Sequence, residues 1–302
     1  MRPSVRYDRL PTEQRNPRTL DLDRLPLPTL LRRMHQEDLR AVRAISAALP
    51  QVERAIRLVT AALRGGGRLV FIGAGTSGRL GVLEAAECPP TFHTLPSLVQ
   101  AIHAGGRGAV FRSREGVEDD RLTARRAVQR RLRAGDVAVG IAASGVTPFV
   151  DEALRAARRL GATTILVTCH PRSTISAHVT IVLPVGPEVL SGSTRLKAGT
   201  ATKLVLNMLT LGAMVQLGKT YGNLMVDVRP TSRKLRARAV RLIQSLTGQS
   251  ERAAEASLRA ARGRVKVAVV MASCGLAYQA AMRTLQRADG SLRQALNSGK
   301  VN

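Results

Sequence analysis

A chain of 302 residues with 44% hydrophobic residues can hold one large α/β domain with helical additions, or two domains, and with 2% aromatics and no Trp its core must be Ala, Leu, Val and Ile. Lys and Arg number 47 against 21 Asp and Glu, a formal charge of +26, but the charge is spread over nearly every predicted helix and the aromatics are too few for a stacking platform, so no nucleic-acid partner is expected, although the charge leaves one open. Cys88, Cys169 and Cys274 form no CxxC or other metal-ligand spacing, the N-terminus has no apolar signal core and no apolar run reaches membrane-spanning length, so the expectation is a cytoplasmic protein with reduced thiols, no membrane and no metal.

In chain order, residues 1–28 carry five prolines and are expected to form an extended arm rather than a packed element. From Thr29 to Leu49 and again from Val52 to Leu63 apolar residues keep helical spacing, stopping at Gly65-Gly66-Gly67, which predicts two helices. These two helices lack the tight turn of a DNA-reading helix pair.

Arg68-Leu69-Val70-Phe71-Ile72 has the composition of a buried parallel strand and runs into Gly73-Ala74-Gly75-Thr76-Ser77-Gly78. Glycines for a sharp turn, hydroxyls where a helix should start, and the apolar face of Leu80, Val82, Leu83 and Ala86 make an anion site at a helix N-terminus. No acidic residue ends a clear second strand and no Gly-Lys-Ser/Thr follows, so a small phosphate monoester is favoured over a nucleotide, with a plain structural turn also open.

Beyond it, Leu98 to Ile102 is a short strand candidate, Glu115 to Arg133 a charged helix, and Asp136 to Ile141 a strand entering Ala143-Ser144-Gly145-Val146-Thr147-Pro148. A helix from Phe149 to Leu160, strands at 163–168 and 179–183, and the turn Ser191-Gly192-Ser193-Thr194-Arg195 opening a long helix complete the alternation. Such alternation implies a parallel sheet covered on both faces, with its ligand beyond the carboxyl ends of the strands. Gly75, Thr76 and Ser77, then Ser144, Gly145 and Thr147, then Ser191, Ser193 and Thr194 are expected to gather there as one phosphate pocket. Lys197 could join it or sit on a helix face, and Arg79 could touch the anion or cap the loop. After Asp227 four helical segments, at 229–249, 251–261, 265–273 and 276–287, predict a compact bundle. The expected division is 1–54 arm and helices, 55–228 phosphosugar-binding α/β domain, and 229–302 helical domain.

Several stretches resemble the N-acetylmuramic acid 6-phosphate etherase family: the glycine loop through Gly81, Ala86-Glu87-Cys88-Pro89-Pro90-Thr91, Glu115 to Asp120, Thr12 to Pro17, Asp136 to Pro148, Ser191 to Met208, and Tyr221 to Val228. The resemblance runs from about residue 10 to Leu296. It implies a sugar isomerase (SIS) domain, a flavodoxin-like three-layer α/β sandwich with a parallel sheet, flanked by N-terminal helices and a small C-terminal helical domain, acting as a homodimer. The implied reaction is cleavage of the D-lactyl ether of N-acetylmuramic acid 6-phosphate in cell-wall recycling, giving N-acetylglucosamine 6-phosphate and D-lactate, with no cofactor.

That chemistry needs two carboxyl groups in opposite protonation states. By resemblance Glu87 matches the family's proton donor and Glu118 its base. Glu87 is expected at the end of the first helix of the sheet domain, poorly hydrated beside Pro89 and Pro90. Glu84, Glu115 and Asp119 are nearby alternatives. Departures from the family pattern are Val146 where many relatives carry Arg, Val117 for the usual Ala, and His170 for the usual Asn. Asn223 and Asp227 are candidates for contact with substrate or with a second subunit. A phosphosugar-sensing regulator and an aldose–ketose phosphosugar isomerase are the competing readings.

Overall fold

The computed structural model describes Asp8, residues 10–228 and residues 230–299. Its helices and strands are α1 (Leu27–Ala44), α2 (Leu49–Arg64), β1 (Leu69–Gly73), α3 (Gly75–Phe92), β2 (Val99–His103), α4 (Gly106–Phe111), α5 (Arg121–Arg131), β3 (Val137–Ile141), α6 (Pro148–Arg159), β4 (Thr163–Thr168), β5 (Val179–Val182), α7 (Lys197–Gln216), α8 (Arg233–Thr247), α9 (Glu251–Ala260), α10 (Val265–Cys274), α11 (Tyr278–Arg287) and α12 (Leu292–Gly299).

Five strands pair in the order β2-β1-β3-β4-β5, all parallel, with Phe71 opposite both Ala101 and Val139. This is the flavodoxin-like order, and the chain reverses its direction of travel across the sheet between β1 and β3. Parallel strands buried on both faces need continuous apolar sequence, and every residue of β1 and β3 is buried. Val70, Ile72, Ala138 and Leu166 turn to one face, where Phe149, Val150 and Leu154 of α6 and Ala124 and Val128 of α5 cover them. Phe71 turns to the other face, against Gly81 of α3. A Cβ on Gly81 would sit 2.8 Å from the Phe71 Cβ, so only glycine lets this helix approach the strand.

Compactness divides the chain into Met1–Ala86 with Ser97–Thr210, and Glu87–Pro96 with Leu211–Asn302. The expected breaks near 54 and 228 are not where this division falls; the N-terminal helices belong to the sheet unit, and the boundaries lie inside α3 and α7. The second unit buries Val240 and Ile243 of α8, Leu258 of α9, Val267 to Val270 of α10 and Leu285 of α11 around one apolar core. Serine caps start α8 and α9, and Gly248 ends α8 in the left-handed conformation. Lys266 is buried there, its Nζ donating to Asp227 Oδ2 at 2.8 Å and to the carbonyls of Gly218 and Gly290. Asp227 thus neutralises an internal lysine of its own chain.

Several expectations are corrected. Residues 10–24 are packed, with Leu10, Thr12, Asn16 and Thr19 buried; residues 1–7 and Arg9 lie outside the described residues, as do Arg229, the expected start of the helical domain, and residues 300–302. The helix expected from Glu115 starts only at Arg121, because Gly116 is left-handed and the Asp120 carboxylate accepts the Thr123 N–H at 2.9 Å as an N-cap. The helix at Gly75 does not stop before Pro89 but runs through both prolines to Phe92. The helices α4 and α12 were not foreseen. α7 is long and apolar enough to cross a membrane, contrary to expectation, but 56% of its apolar window is buried within the fold, as in a core helix.

Candidate functional site

The loop after β1 and the loop after β3 open at the switch point of the sheet. There a cavity of about 230 Å³ is lined by Ala74 to Ser77, Arg79, His103, Ser113 to Glu115, Val117, Glu118, Thr147 and Thr194. All three expected turns therefore reach it: Gly75, Thr76 and Ser77 from the first, Thr147 from the second and Thr194 from the third.

The glycines of the first turn have separate tasks. Gly75 has φ +53°, which a side chain would strain, and it opens α3 directly, leaving the N–H groups of the first helical turn without intrahelical acceptors. Gly78 is needed for proximity: a Cβ there would lie 2.5 Å from the Gly73 carbonyl oxygen and 2.6 Å from His103 Cδ2. His103, at the end of β2, places Nε2 3.2 Å from the Gly75 carbonyl and Nδ1 2.6 Å from that of Ala104. Arg79 lines the cavity and donates to the carbonyls of Ala109 (3.0 Å) and Val110 (2.7 Å), closing the end of α4. Arg114, missed in the sequence, is the other cation of the lining. Its signal was the Ser113-Arg114 pair just ahead of the glutamate stretch.

Glu118 reaches the cavity on the turn that precedes α5. Its carbonyl accepts the Phe149 N–H at 2.8 Å, binding that turn to the start of α6. Thr147 is the N-cap residue of α6 but makes no side-chain cap bond, and its Oγ1 lies 3.5 Å from Ser144 Oγ. Ser144 therefore stands behind Thr147 and outside the lining. Gly145 is a buried packing residue with φ +71°, where a Cβ would strike His170, Ser173 and Thr168 at 2.9 Å. His170 is turned down from its usual range by burial and by the nearby Arg172, and the structure gives it no place in the cavity.

Of the third turn only Thr194 lines the cavity; Ser191 is exposed and Ser193 is half-buried, its N–H donating to the Leu190 carbonyl. Lys197 is a correction. It is fully buried, with its Nζ 2.7 Å from Glu37 Oε2, so its ammonium is spent on an internal ion pair. Glu37 also takes Arg18 Nε and Asn16 Nδ2. Burial alone raises its carboxyl, but the hydrogen bonds from Arg18, Lys197 and Asn16 outweigh that and hold it at about 2.

Glu87 is exposed on α3 and belongs to the second compact unit, so the poorly hydrated setting expected for it is absent from the single chain. The buried carboxylate of α3 is Glu84, one turn earlier, 7% exposed, which takes Asn207 Nδ2 at 2.7 Å and the Thr210 hydroxyl.

Residues 51–158 match the family model of the glucokinase regulatory protein N-terminal SIS domain, and residues 119–212 match the SIS domain model. The chain is 56% identical over 282 residues to an N-acetylmuramic acid 6-phosphate etherase of Gloeobacter violaceus, covering 90% of this chain and 92% of that one. The chain belongs to the N-acetylmuramic acid 6-phosphate etherase family. A second family member, N-acetylmuramic acid 6-phosphate etherase 2 of Vibrio cholerae, is 49% identical over 95% of this chain and 94% of its own. Among solved structures, a phosphoheptose isomerase from Francisella tularensis matches with a TM-score of 0.50 at 15% identity, covering 63% of this chain and all of that one, a likeness of fold. Family membership agrees with the resemblance carried by the glycine loop, the Glu-Cys-Pro-Pro stretch and Asn223 to Val228.

Proposed function

We propose that the chain is an N-acetylmuramic acid 6-phosphate etherase, a carbon–oxygen lyase that removes the D-lactyl group from carbon-3 of the phosphorylated sugar. The observation that carries this reading is the meeting of Ser77, Thr147, Thr194 and Glu118 in one cavity at the switch point, in a chain related to an etherase over 90% of its length. A phosphate at the N-terminus of α3 would meet the N–H groups of its first turn, the positive end of the helix dipole and the three hydroxyls. The sugar would then lie toward Glu118.

In the open-chain aldehyde the carbon-2 proton is acidified by the carbonyl at carbon-1. Glu118 removes it as a carboxylate, and Glu87, by family resemblance, protonates the lactate oxygen as the bond to carbon-3 breaks. The product of this step is an α,β-unsaturated aldehyde. Water, deprotonated by the Glu87 carboxylate, adds at carbon-3, and Glu118 returns its proton to carbon-2, restoring both groups and leaving N-acetylglucosamine 6-phosphate. The competing isomerase chemistry would also use Glu118 but would leave the ether intact.

The family resemblance further supports a homodimer, and Leu31, Leu39 and Val42 leave apolar surface exposed on α1 for a second copy to cover. The buried free thiols of Cys88 and Cys169 suit a reducing cytoplasm. The test of function is to incubate purified protein with N-acetylmuramic acid 6-phosphate and assay D-lactate enzymatically. Equimolar D-lactate and N-acetylglucosamine 6-phosphate are expected. A protein that releases no lactate but interconverts aldose and ketose phosphates would be an isomerase instead.

A further inference from the structure

Thr194 enters the cavity from a stretch, residues 183–196, that belongs to no helix or strand. A loop of this kind places a hydroxyl accurately only if its backbone groups are tied elsewhere. The ties come from the N-terminal arm. Asn16 Nδ2 donates to the Pro187 carbonyl at 3.3 Å, Thr19 Oγ1 donates to the Val189 carbonyl at 2.9 Å, and the Gly192 N–H donates to the Thr12 carbonyl at 3.1 Å. Two short turns follow, Ser193 N–H to Leu190 and Thr194 N–H to Gly192, both at 3.0 Å.

The other end of the loop is fixed by Glu188, whose carboxylate accepts the N–H groups of Lys197 and Ala198 at 2.9 Å each, at the start of α7. Arm and helix then meet on a single carboxylate. Glu37 of α1 takes Asn16 Nδ2 at 2.9 Å, Arg18 Nη2 at 3.0 Å and Lys197 Nζ at 2.7 Å. Asn16 and Thr19 are 2% and 8% exposed, and neither lines the cavity.

We propose that residues 12–19 are a positioning strap that sets Thr194 in the phosphate pocket, with Thr19 and Asn16 as the positioning residues and Glu37 as the anchor. The proposal rests on the function assigned above for what Thr194 binds. The strap itself is a property of the fold. Its hydrogen bonds order the loop before ligand arrives, so the entropy of fixing Thr194 is not charged to binding.

Thr19 offers a clean test. Thr19→Val keeps the shape and loses the hydroxyl; Thr19→Ser keeps the hydroxyl. Thr19→Val should weaken N-acetylglucosamine 6-phosphate binding about fivefold, the worth of one hydrogen bond, while Thr19→Ser stays within about twofold of wild type. Affinity for unphosphorylated N-acetylglucosamine should not move. Amide hydrogen exchange in residues 188–196, measured without ligand, should quicken in Thr19→Val and not in Thr19→Ser. In a Thr194→Ala background, Thr19→Val should add no further loss, because both changes remove one contact. Multiplicative losses, equal effects of Val and Ser, or unchanged exchange in Thr19→Val would overturn the strap. If the valine variant does not fold, Asn16→Ser carries the same exchange and binding comparison. Wild-type protein that fails to bind N-acetylglucosamine 6-phosphate would count against the proposed function, while the exchange measurement still decides the strap.

Discussion

The Phe149 backbone N–H donates to the Glu118 carbonyl oxygen at 2.8 Å. This bond joins the turn that carries the proposed base to the helix whose N-cap residue, Thr147, lines the phosphate end of the cavity. Because the tie is made by backbone, the Glu118 side chain can be changed without releasing it. Glu118→Gln should therefore lower kcat about a hundredfold or more while KM and the melting temperature stay close to wild type. Steady-state lactate release together with thermal unfolding checks this, and near wild-type turnover would remove Glu118 from the mechanism.

Glu87 and Glu84 should separate function from stability on one helix. Glu87 is exposed, so Glu87→Gln should abolish most turnover with no loss of stability. Glu84→Ala would take away the acceptor of Asn207 Nδ2, leave the Thr210 hydroxyl only the Leu206 and Asn207 carbonyls, and should cost about 1–3 kcal/mol in denaturant unfolding. If Glu84→Ala were stable and inactive while Glu87→Gln retained activity, the acid would be Glu84.

The three hydroxyl turns should not contribute equally. Ser77→Ala and Thr194→Ala each remove a group that lines the cavity and should weaken N-acetylglucosamine 6-phosphate more than the unphosphorylated sugar, by about fivefold each. Ser144 lies outside the lining, its hydroxyl 3.5 Å from that of Thr147 and accepting the Val146 N–H at 3.4 Å, so Ser144→Ala should do less. Calorimetry with both sugars reads the difference; equal losses for the two ligands would point to damaged folding.

The parallel sheet was legible because β1 and β3 are unbroken apolar runs, and the pocket because glycines and hydroxyls follow strand ends at 73–78 and 144–147. Single-residue fates were not legible. Nothing in the sequence says that Lys197 would find Glu37, 160 residues away, or that Arg79 would close α4. The N-terminal arm read as unpacked because its prolines exclude helix, whereas its packing comes from side chains meeting a loop about 170 residues later. Helix α3 outlasts its prolines because tertiary context overrides propensity there. Part of the arginine surplus has a structural use: Arg121 and Arg155 both pair with Asp151, and Arg125 and Arg159 both pair with Glu152.

Acid stability should carry the mark of Glu37. Its folded value, about 2, is below the ordinary 4.5, so the folded state binds its proton less readily than the unfolded state does. The stabilisation is complete above about 4.5 and disappears as pH falls through about 2. In urea titrations from pH 5 to pH 2, the gap between wild type and Glu37→Gln should shrink steadily. Glu188, raised by burial, has the opposite sign and is common to both proteins. A gap independent of pH would mean that folding does not lower the Glu37 carboxyl, and a gap that grew toward pH 2 would mean that it is neutral in the folded state.

The central claim is that lactate leaves by elimination and that water then adds at carbon-3 of the sugar. The most direct measurement is turnover of N-acetylmuramic acid 6-phosphate in water labelled with heavy oxygen, followed by mass spectrometry of both products. Elimination and hydration place the solvent oxygen in the carbon-3 hydroxyl of N-acetylglucosamine 6-phosphate and leave D-lactate unlabelled. Solvent oxygen in the lactate, with none in the sugar, would mean direct attack at the lactyl carbon and would contradict the account.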